Sequence, residues 1–299
     1  LAEHRFLVGV SLDGPAALHD PNRATAGGGP THARVLAGID TLGRNRVEFN
    51  ILTLVNRLNG NHPETIYRDL VARGFRYHQY IPCVEFDAQG RLLPVSVSAR
   101  QWGDFLCALF DRWYAADTRT VSIRLFDSLL VRLVDGVANV CAMGRTCCQY
   151  FLVEHNGDVY PCDFFAEPGL KLGNILDQDW DDLLDAPVYR AFGDRKARWN
   201  SACAACPWLA FCAGDCPKHR LAGGSDPTRL SALCEGWKQF YAHTLPRFQV
   251  LADAIRRDRR NQAAVFENAV RAATPRPQPR NAPCPCGSGR KYKHCCGAT

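Results

Sequence analysis

Fifteen cysteines in 299 residues, gathered into three bunches, set the tightest limit on what this chain can fold into. The first bunch is Cys141, Cys147, Cys148 and Cys162. The second is Cys203, Cys206, Cys212 and Cys216, with Cys234 further on. The third is Cys284, Cys286, Cys295 and Cys296. In a secreted chain such numbers would signal disulfides. This chain is large, opens with no signal-peptide pattern and bunches its thiols, which in a reducing compartment favours metal or cluster binding. The expected location is cytoplasmic.

Spacing separates the bunches chemically. Cys203-Ala-Ala-Cys206 puts two thiolates on one tight turn, and Cys212 and Cys216 follow at intervals suited to iron–sulfur loops. Zinc prefers paired C-x-x-C hooks, and this region has one. Spacing therefore favours clusters. The alternative is a single zinc site from the second bunch, with the first bunch as buried thiols. The third bunch places four thiolates within thirteen residues around Gly287 and Gly289, as a tetrahedral structural zinc requires. A segment that short builds no core and is expected to be unfolded without metal.

Ahead of the cysteines the chain reads as alternating strand and helix. Residues 5–11 form a short apolar run and 47–55 a β-branched one, both read as strands, and 77–83 reads as a third strand. Residues 31–45, 63–73 and 98–114 carry helical patterns, with Pro63 at a helix start. Residues 121–126 read as a strand feeding a helix through Val134. This βαβα rhythm predicts a parallel sheet or partial barrel. Residues 151–160 read as a hairpin turning at Asn156-Gly157, and 231–260 as a helix. The stretch 274–285 is a Pro/Arg linker. The expected domains are 1–135, 136–262, a linker at 263–280 and a motif at 281–299.

Composition narrows the function classes. At 46% hydrophobic residues the chain can bury a sizeable core. No apolar run reaches the length of a membrane span. Of the net charge of +6, five units come from the tail's Arg276, Arg280, Arg290, Lys291 and Lys293, which have no acid among them. The body is nearly neutral and gives no support for nucleic-acid binding.

Several phrases together resemble the anaerobic sulfatase-maturating enzymes, radical S-adenosylmethionine proteins with a C-terminal SPASM domain. They are FLVGVSLDGP (6–15), VEFNILTLVN (47–56), VSIRLFD (121–127), CAMGRTC (141–147), VEHNGDVYPCDFF (153–165), LGNI (172–175) and CAACPWLAFCAGDC (203–216). The resemblance covers residues 5 to about 260. It implies an α/β fold: the C-terminal portion of a partial (β/α)6 radical SAM barrel, then a cysteine-rich SPASM domain. It implies two auxiliary [4Fe–4S] clusters ligated in an interleaved order, one by Cys141, Cys147, Cys162 and Cys216, the other by Cys203, Cys206, Cys212 and Cys234. It makes Asp163 a proton acceptor, and assigns Ser11, Arg23 and Val84 to S-adenosylmethionine. Cys83, Cys107 and Cys148 remain as expected buried small hydrophobes. The tail motif C-x-C-x8-C-C resembles the SEC-C zinc motif, which implies Zn2+ at Cys284, Cys286, Cys295 and Cys296. That motif reads either as a docking module for a protein partner or as a stabilising appendage.

The implied activity is oxidation of a cysteine or serine in an unfolded sulfatase segment to formylglycine, with a reductant such as flavodoxin or ferredoxin. The C-x3-C-x2-C triplet and the GGEP-type segment that serve the radical chemistry in this family do not occur in the sequence. Leu1 stands first and the one methionine is Met143. The expectation is an N-terminally truncated chain, inactive alone. The alternatives are another SPASM peptide-modifying enzyme, or a cluster- and zinc-binding interaction protein.

Overall fold

The computed structural model describes residues 1–221, 226, 228–273 and 278–298, and it divides into two units, Leu1–Ala252 and Asp253–Thr299. In the first unit, strand β1 (Leu7–Ser11) ends in a turn that carries the short helix α1 (Ala16–His19), and helix α2 (His32–Arg44) returns to β2 (Glu48–Val55). Helix α3 (Pro63–Ala72), with proline in its first turn, leads to β3 (Tyr77–Pro82). Helix α4 (Ala99–Ala116) precedes β4 (Ser122–Ile123), which runs directly into α5 (Arg124–Asp135). The four strands are parallel in the order β1-β2-β3-β4, with Leu7 opposite Glu48 and Ile51 opposite His78. Right-handed crossovers through helices are the ordinary way to join such strands. This is the α/β partial barrel that the sequence predicts.

The core lies between the sheet and its helices. Ile51, Val55, Phe105, Leu109, Phe110, Trp113, Phe126 and Leu129 are all buried there. Helix α4 begins with a capping box: the Ser98 hydroxyl accepts from Gln101 N, and the Gln101 side chain takes the Ser98 N–H.

The cysteine-rich part opens with a small antiparallel sheet of β5 (Leu152–Val153), β6 (Asp158–Tyr160) and β7 (Gly173–Asn174). Gly157 makes the hairpin turn at φ 86°. Helices α6 (Trp180–Leu184), α7 (Pro187–Arg195), α8 (Ser201–Ala204) and α9 (Leu209–Cys212) follow. Helix α10 (Cys234–Ala273) follows, and its first half packs alongside α4. Phe240 and Phe248 of α10 join Phe110, Trp113 and Phe126 in one aromatic cluster. The two helices touch through glycines. A Cβ on Gly236 would lie 2.2 Å from Ala99 O, and one on Gly103 would lie 3.0 Å from Gly236 Cα.

Two boundaries differ from the sequence reading. Strand β4 pairs over two residues only, because the helical pattern of 124–135 takes over at Arg124. Helix α10 continues to Ala273, so residues 263–273 of the expected linker are helical. Residues 274–277 of that linker lie outside the described residues. No described helix is long and apolar enough to cross a membrane.

Candidate cluster and cofactor site

The chain places its chemistry-bearing residues at the C-terminal ends of the parallel strands and on the loops beyond them, where open α/β sheets bind ligands. Ser11 ends β1, and Val84, which is buried, follows β3 by two residues. Arg23 comes from the loop after α1. Its Nε donates to Asp13 Oδ2 at 2.6 Å and its Nη2 to Asp13 Oδ1 at 3.2 Å. Asp13 is buried and also accepts the Leu54 N–H at 2.8 Å. The sequence reading named Arg23 but not its partner, although Asp13 sits within the SLDGP phrase.

The interleaved thiols are brought together in two sets. Cys203, Cys206, Cys212 and Cys234 line one cavity, with Trp208, Trp237 and Tyr241 among its walls. In the other set, Cys216 lies within electrostatic reach of Cys147 and Cys141, and Cys162 within reach of Cys141. Cys212 ends α9 and Cys216 follows four residues later, yet they go to different sets. The turn between them makes this division: Ala213, Gly214 and Asp215 all have positive φ, at 46°, 73° and 65°. For the two non-glycine residues this costs about 1–2 kcal/mol each. Arg220 holds the turn, donating to Gly214 O at 2.7 Å, Asp215 O at 2.8 Å and Ala213 O at 3.2 Å.

Burial raises the thiols of Cys141, Cys203, Cys212, Cys216 and Cys234 above their ordinary range. It takes Cys147 to about 11, and with the Asp163 carboxylate nearby it takes Cys162 to about 12. Such thiols ionise when a cation displaces their protons. The donor set, eight buried or half-buried thiols in two groups, suits iron–sulfur ligation.

Asp163 opens a single turn of 3-10 helix directly after Cys162 and is exposed. Its Oδ1 accepts from the Cys162 thiol at 3.3 Å. Nearby Asp215 is buried. Burial opposes its ionisation, but the His219 ring at 2.8 Å, the Ser231 hydroxyl at 2.6 Å and the Cys216 N–H outweigh this and hold it well below the usual carboxylate range. Lys218 reaches from the cysteine-rich part to Glu85 at the barrel end, at 2.8 Å. Lys196 is fully buried and donates to the carbonyls of Cys141, Ala142 and Gly144. No sequence pattern marks Lys196 or Arg220, because their partners are backbone oxygens, those of Lys196 more than fifty residues away. Of the three remaining cysteines, Cys83 is buried, Cys107 is half-buried and Cys148 is exposed. The expectation of burial for Cys148 is corrected: its thiol lies over Gly193 and 3.6 Å from Tyr189 O.

In the second unit, Cys284, Cys286, Cys295 and Cys296 offer sulfur atoms all within 4.8 Å of one another. Cys286 Sγ lies 3.3 Å from Cys284 Sγ and 3.4 Å from Cys295 Sγ. A tetrahedral zinc with bonds of about 2.3 Å sets its sulfurs about 3.8 Å apart, so one ion fits. Among the described residues this is the one group so closely drawn. The wider-set thiols of the first unit suit clusters in which each thiolate takes its own iron.

Comparison with known proteins places the chain in a family. Residues 141–207 match the SPASM family, described as an iron-sulfur cluster-binding domain, and residues 280–298 match the SEC-C motif. The serine-type anaerobic sulfatase-maturating enzyme of Bacteroides thetaiotaomicron is 34% identical, covering 88% of this chain and 66% of its own length. The cysteine-type enzyme of Clostridium perfringens is 33% identical, covering 86% of this chain and 70% of its own. A solved structure of anSMEcpe with bound AdoMet and peptide aligns at a TM-score of 0.78 and 33% identity, covering 85% of this chain and 71% of that one. The chain thus spans about two thirds of the length of these relatives, and it belongs to the anaerobic sulfatase-maturating enzymes.

Proposed function

We propose that this chain carries the proton-accepting and cluster-binding part of an enzyme that oxidises a cysteine or serine of an unfolded sulfatase segment to formylglycine. The observation that carries this reading is Asp163: an exposed carboxylate 3.3 Å from the thiol of Cys162, on the same turn. A base must lie within hydrogen-bond reach of the proton it takes, and Asp163 is open to an arriving side chain. When bound, the auxiliary [4Fe–4S] clusters supply a one-electron acceptor and S-adenosylmethionine supplies the radical that removes hydrogen from Cβ. Asp163 accepts the thiol or hydroxyl proton beside the cluster ligand, so proton and electron leave the substrate on one side.

The residues present fit these groups. Cys141, Cys147, Cys162 and Cys216 would hold one cluster, and Cys203, Cys206, Cys212 and Cys234 the other. Ser11, Arg23 and Val84 would bind S-adenosylmethionine, with Asp13 fixing the guanidinium through Nε and Nη2 and leaving Nη1 for the ligand's carboxylate. Cys284, Cys286, Cys295 and Cys296 would hold Zn2+. The partners are the sulfatase segment, an electron carrier such as flavodoxin or ferredoxin, and a protein docking on the SEC-C tail.

No C-x3-C-x2-C triplet occurs in these 299 residues, so the radical is proposed to arise at a site outside them. The test is therefore run in the complete coding frame. A sulfatase peptide is co-expressed with the enzyme and weighed by mass spectrometry. Wild type yields the mass loss of aldehyde formation, and Asp163→Asn does not. An unchanged peptide with wild type sinks the sulfatase assignment; full conversion by Asp163→Asn sinks the base assignment.

A further inference from the structure

Lys196 is a fully buried cation whose three protons all go to backbone carbonyls of one loop, those of Cys141, Ala142 and Gly144. An ammonium has three donors, so it is saturated. Carbonyls satisfy hydrogen bonds but cancel no charge, and the carboxylate that acts on Lys196, buried Asp215, is already engaged by His219 and Ser231. A buried positive charge with no carboxylate of its own is expensive. Besides Asp215, the thiols of Cys141, Cys147, Cys216 and Cys212 lie within its electrostatic reach, and they would carry negative charge as cluster ligands. The first three belong to one cysteine set and the fourth to the other. Arg220, also buried, donates to Lys196 O at 3.0 Å and acts on Cys147 of one set and Cys203 of the other.

We propose that Lys196, braced by Arg220, is a charge-compensating and positioning residue that raises the reduction potential of the cluster held by Cys141, Cys147, Cys162 and Cys216. This rests on the cluster reading above. A four-iron cluster with four thiolates is anionic and gains a further negative charge on reduction, so a fixed cation in a low-dielectric interior favours the reduced form. The loop that carries Cys141 is clamped by the same ammonium, which fixes the distance over which the charge acts.

The experiment uses the 299-residue chain, reconstituted anaerobically with iron and sulfide and titrated potentiometrically with electron paramagnetic resonance detection. Lys196→Gln keeps a hydrogen-bond donor and removes the charge; Lys196→Arg keeps both. With iron content near wild type, Lys196→Gln moves at least one couple negative by tenfold or more in its redox equilibrium, 59 mV for one electron, and Lys196→Arg restores it. Iron lost from Lys196→Gln but kept by Lys196→Arg at the wild-type potential also supports the charge role, expressed during assembly. Unchanged potentials in Lys196→Gln overturn the proposal. So does loss of iron from both variants, which would make Lys196 a loop brace alone. Wild type that binds no iron overturns the cluster reading instead.

Discussion

The two cysteine-bearing regions solve the same problem, holding thiolates, in opposite ways. In the first unit the thiols sit on loops and helix ends fixed by a large core, a buried lysine and a buried arginine. In the tail, four sulfurs lie within 4.8 Å of one another, with a few turns and no helix longer than three residues between Arg280 and Ala298. One set of thiols is placed by the fold; the other, with the zinc proposed for it, would build its fold around the ion. The thiols show the same contrast. In the first unit burial raises the thiols of Cys141, Cys147, Cys162, Cys203, Cys212, Cys216 and Cys234. In the tail, hydrogen bonds headed by those from Ser288 pull Cys286 down to about 6, and sharing with Cys284 pushes Cys296 up to about 12. One ion would replace the protons that these sulfurs share.

The largest expected effect tests that contrast directly. Stripping divalent metal with a chelator should abolish the ordered tail, since structural zinc contributes about 10 kcal/mol or more to such folds. Hydrogen exchange should then show Cys284 to Gly297 unprotected, while the melting of Leu1–Ala252 is unchanged. If the tail amides stay protected without metal, the contrast is wrong. Next in size, Phe126→Ala opens the cluster formed by Phe110, Trp113, Phe240 and Phe248 and should cost about 4 kcal/mol. Calorimetry should record the loss in the body's transition, with zinc affinity of the tail intact.

A pH effect should likewise be confined to the first unit. His78 is buried between Tyr67 and Tyr80, and burial chiefly pushes its pKa down to about 4, with Arg76 adding to this and the Phe75 carbonyl opposing it. The unfolded chain, near 6.5, takes the proton first. The contribution is therefore complete above pH 6.5 and is lost as the pH falls toward 4, about 3 kcal/mol in all. Urea midpoints across that window should fall in wild type and flatten in His78→Gln. The smallest effect is Ser98→Ala, which removes the capping box of α4 and should cost about 1 kcal/mol. It should lower the body's melting point by a few degrees and leave the tail's metal binding untouched.

Much of this organisation was legible in the sequence because it is local. The β-branched run before Val55 gives β2, Pro63 opens α3, and Asn156-Gly157 turns the small hairpin. What escaped depends on distant partners. Helix α7 carries little apolar signal and is ordered by Phe165 and Phe151 packing on Phe192 and Tyr189. Strand β4 shrank because the same residues also fit the helix that follows. Lys196 and Arg220 carry no sequence signal, and their carbonyl partners, more than fifty residues away for Lys196 and Cys141, explain their burial. The two cysteine sets were legible only through the family resemblance. The left-handed turn at 213–215 that sends Cys212 and Cys216 apart shows a glycine at its centre, but not the two strained residues beside it.

The glycine contact between α4 and α10 ties the completion of one thiol set to the closing of the barrel helix. Cys234 is the first residue of α10, and Gly236, which rests against Ala99 O, is two residues on. The thiol of Cys234 therefore reaches Cys203, Cys206 and Cys212 when the crossing has closed. A chain whose barrel helix is still unformed offers three thiols there, not four. The last thiol of that set is thus delivered by the fold and not by the local sequence around the other three.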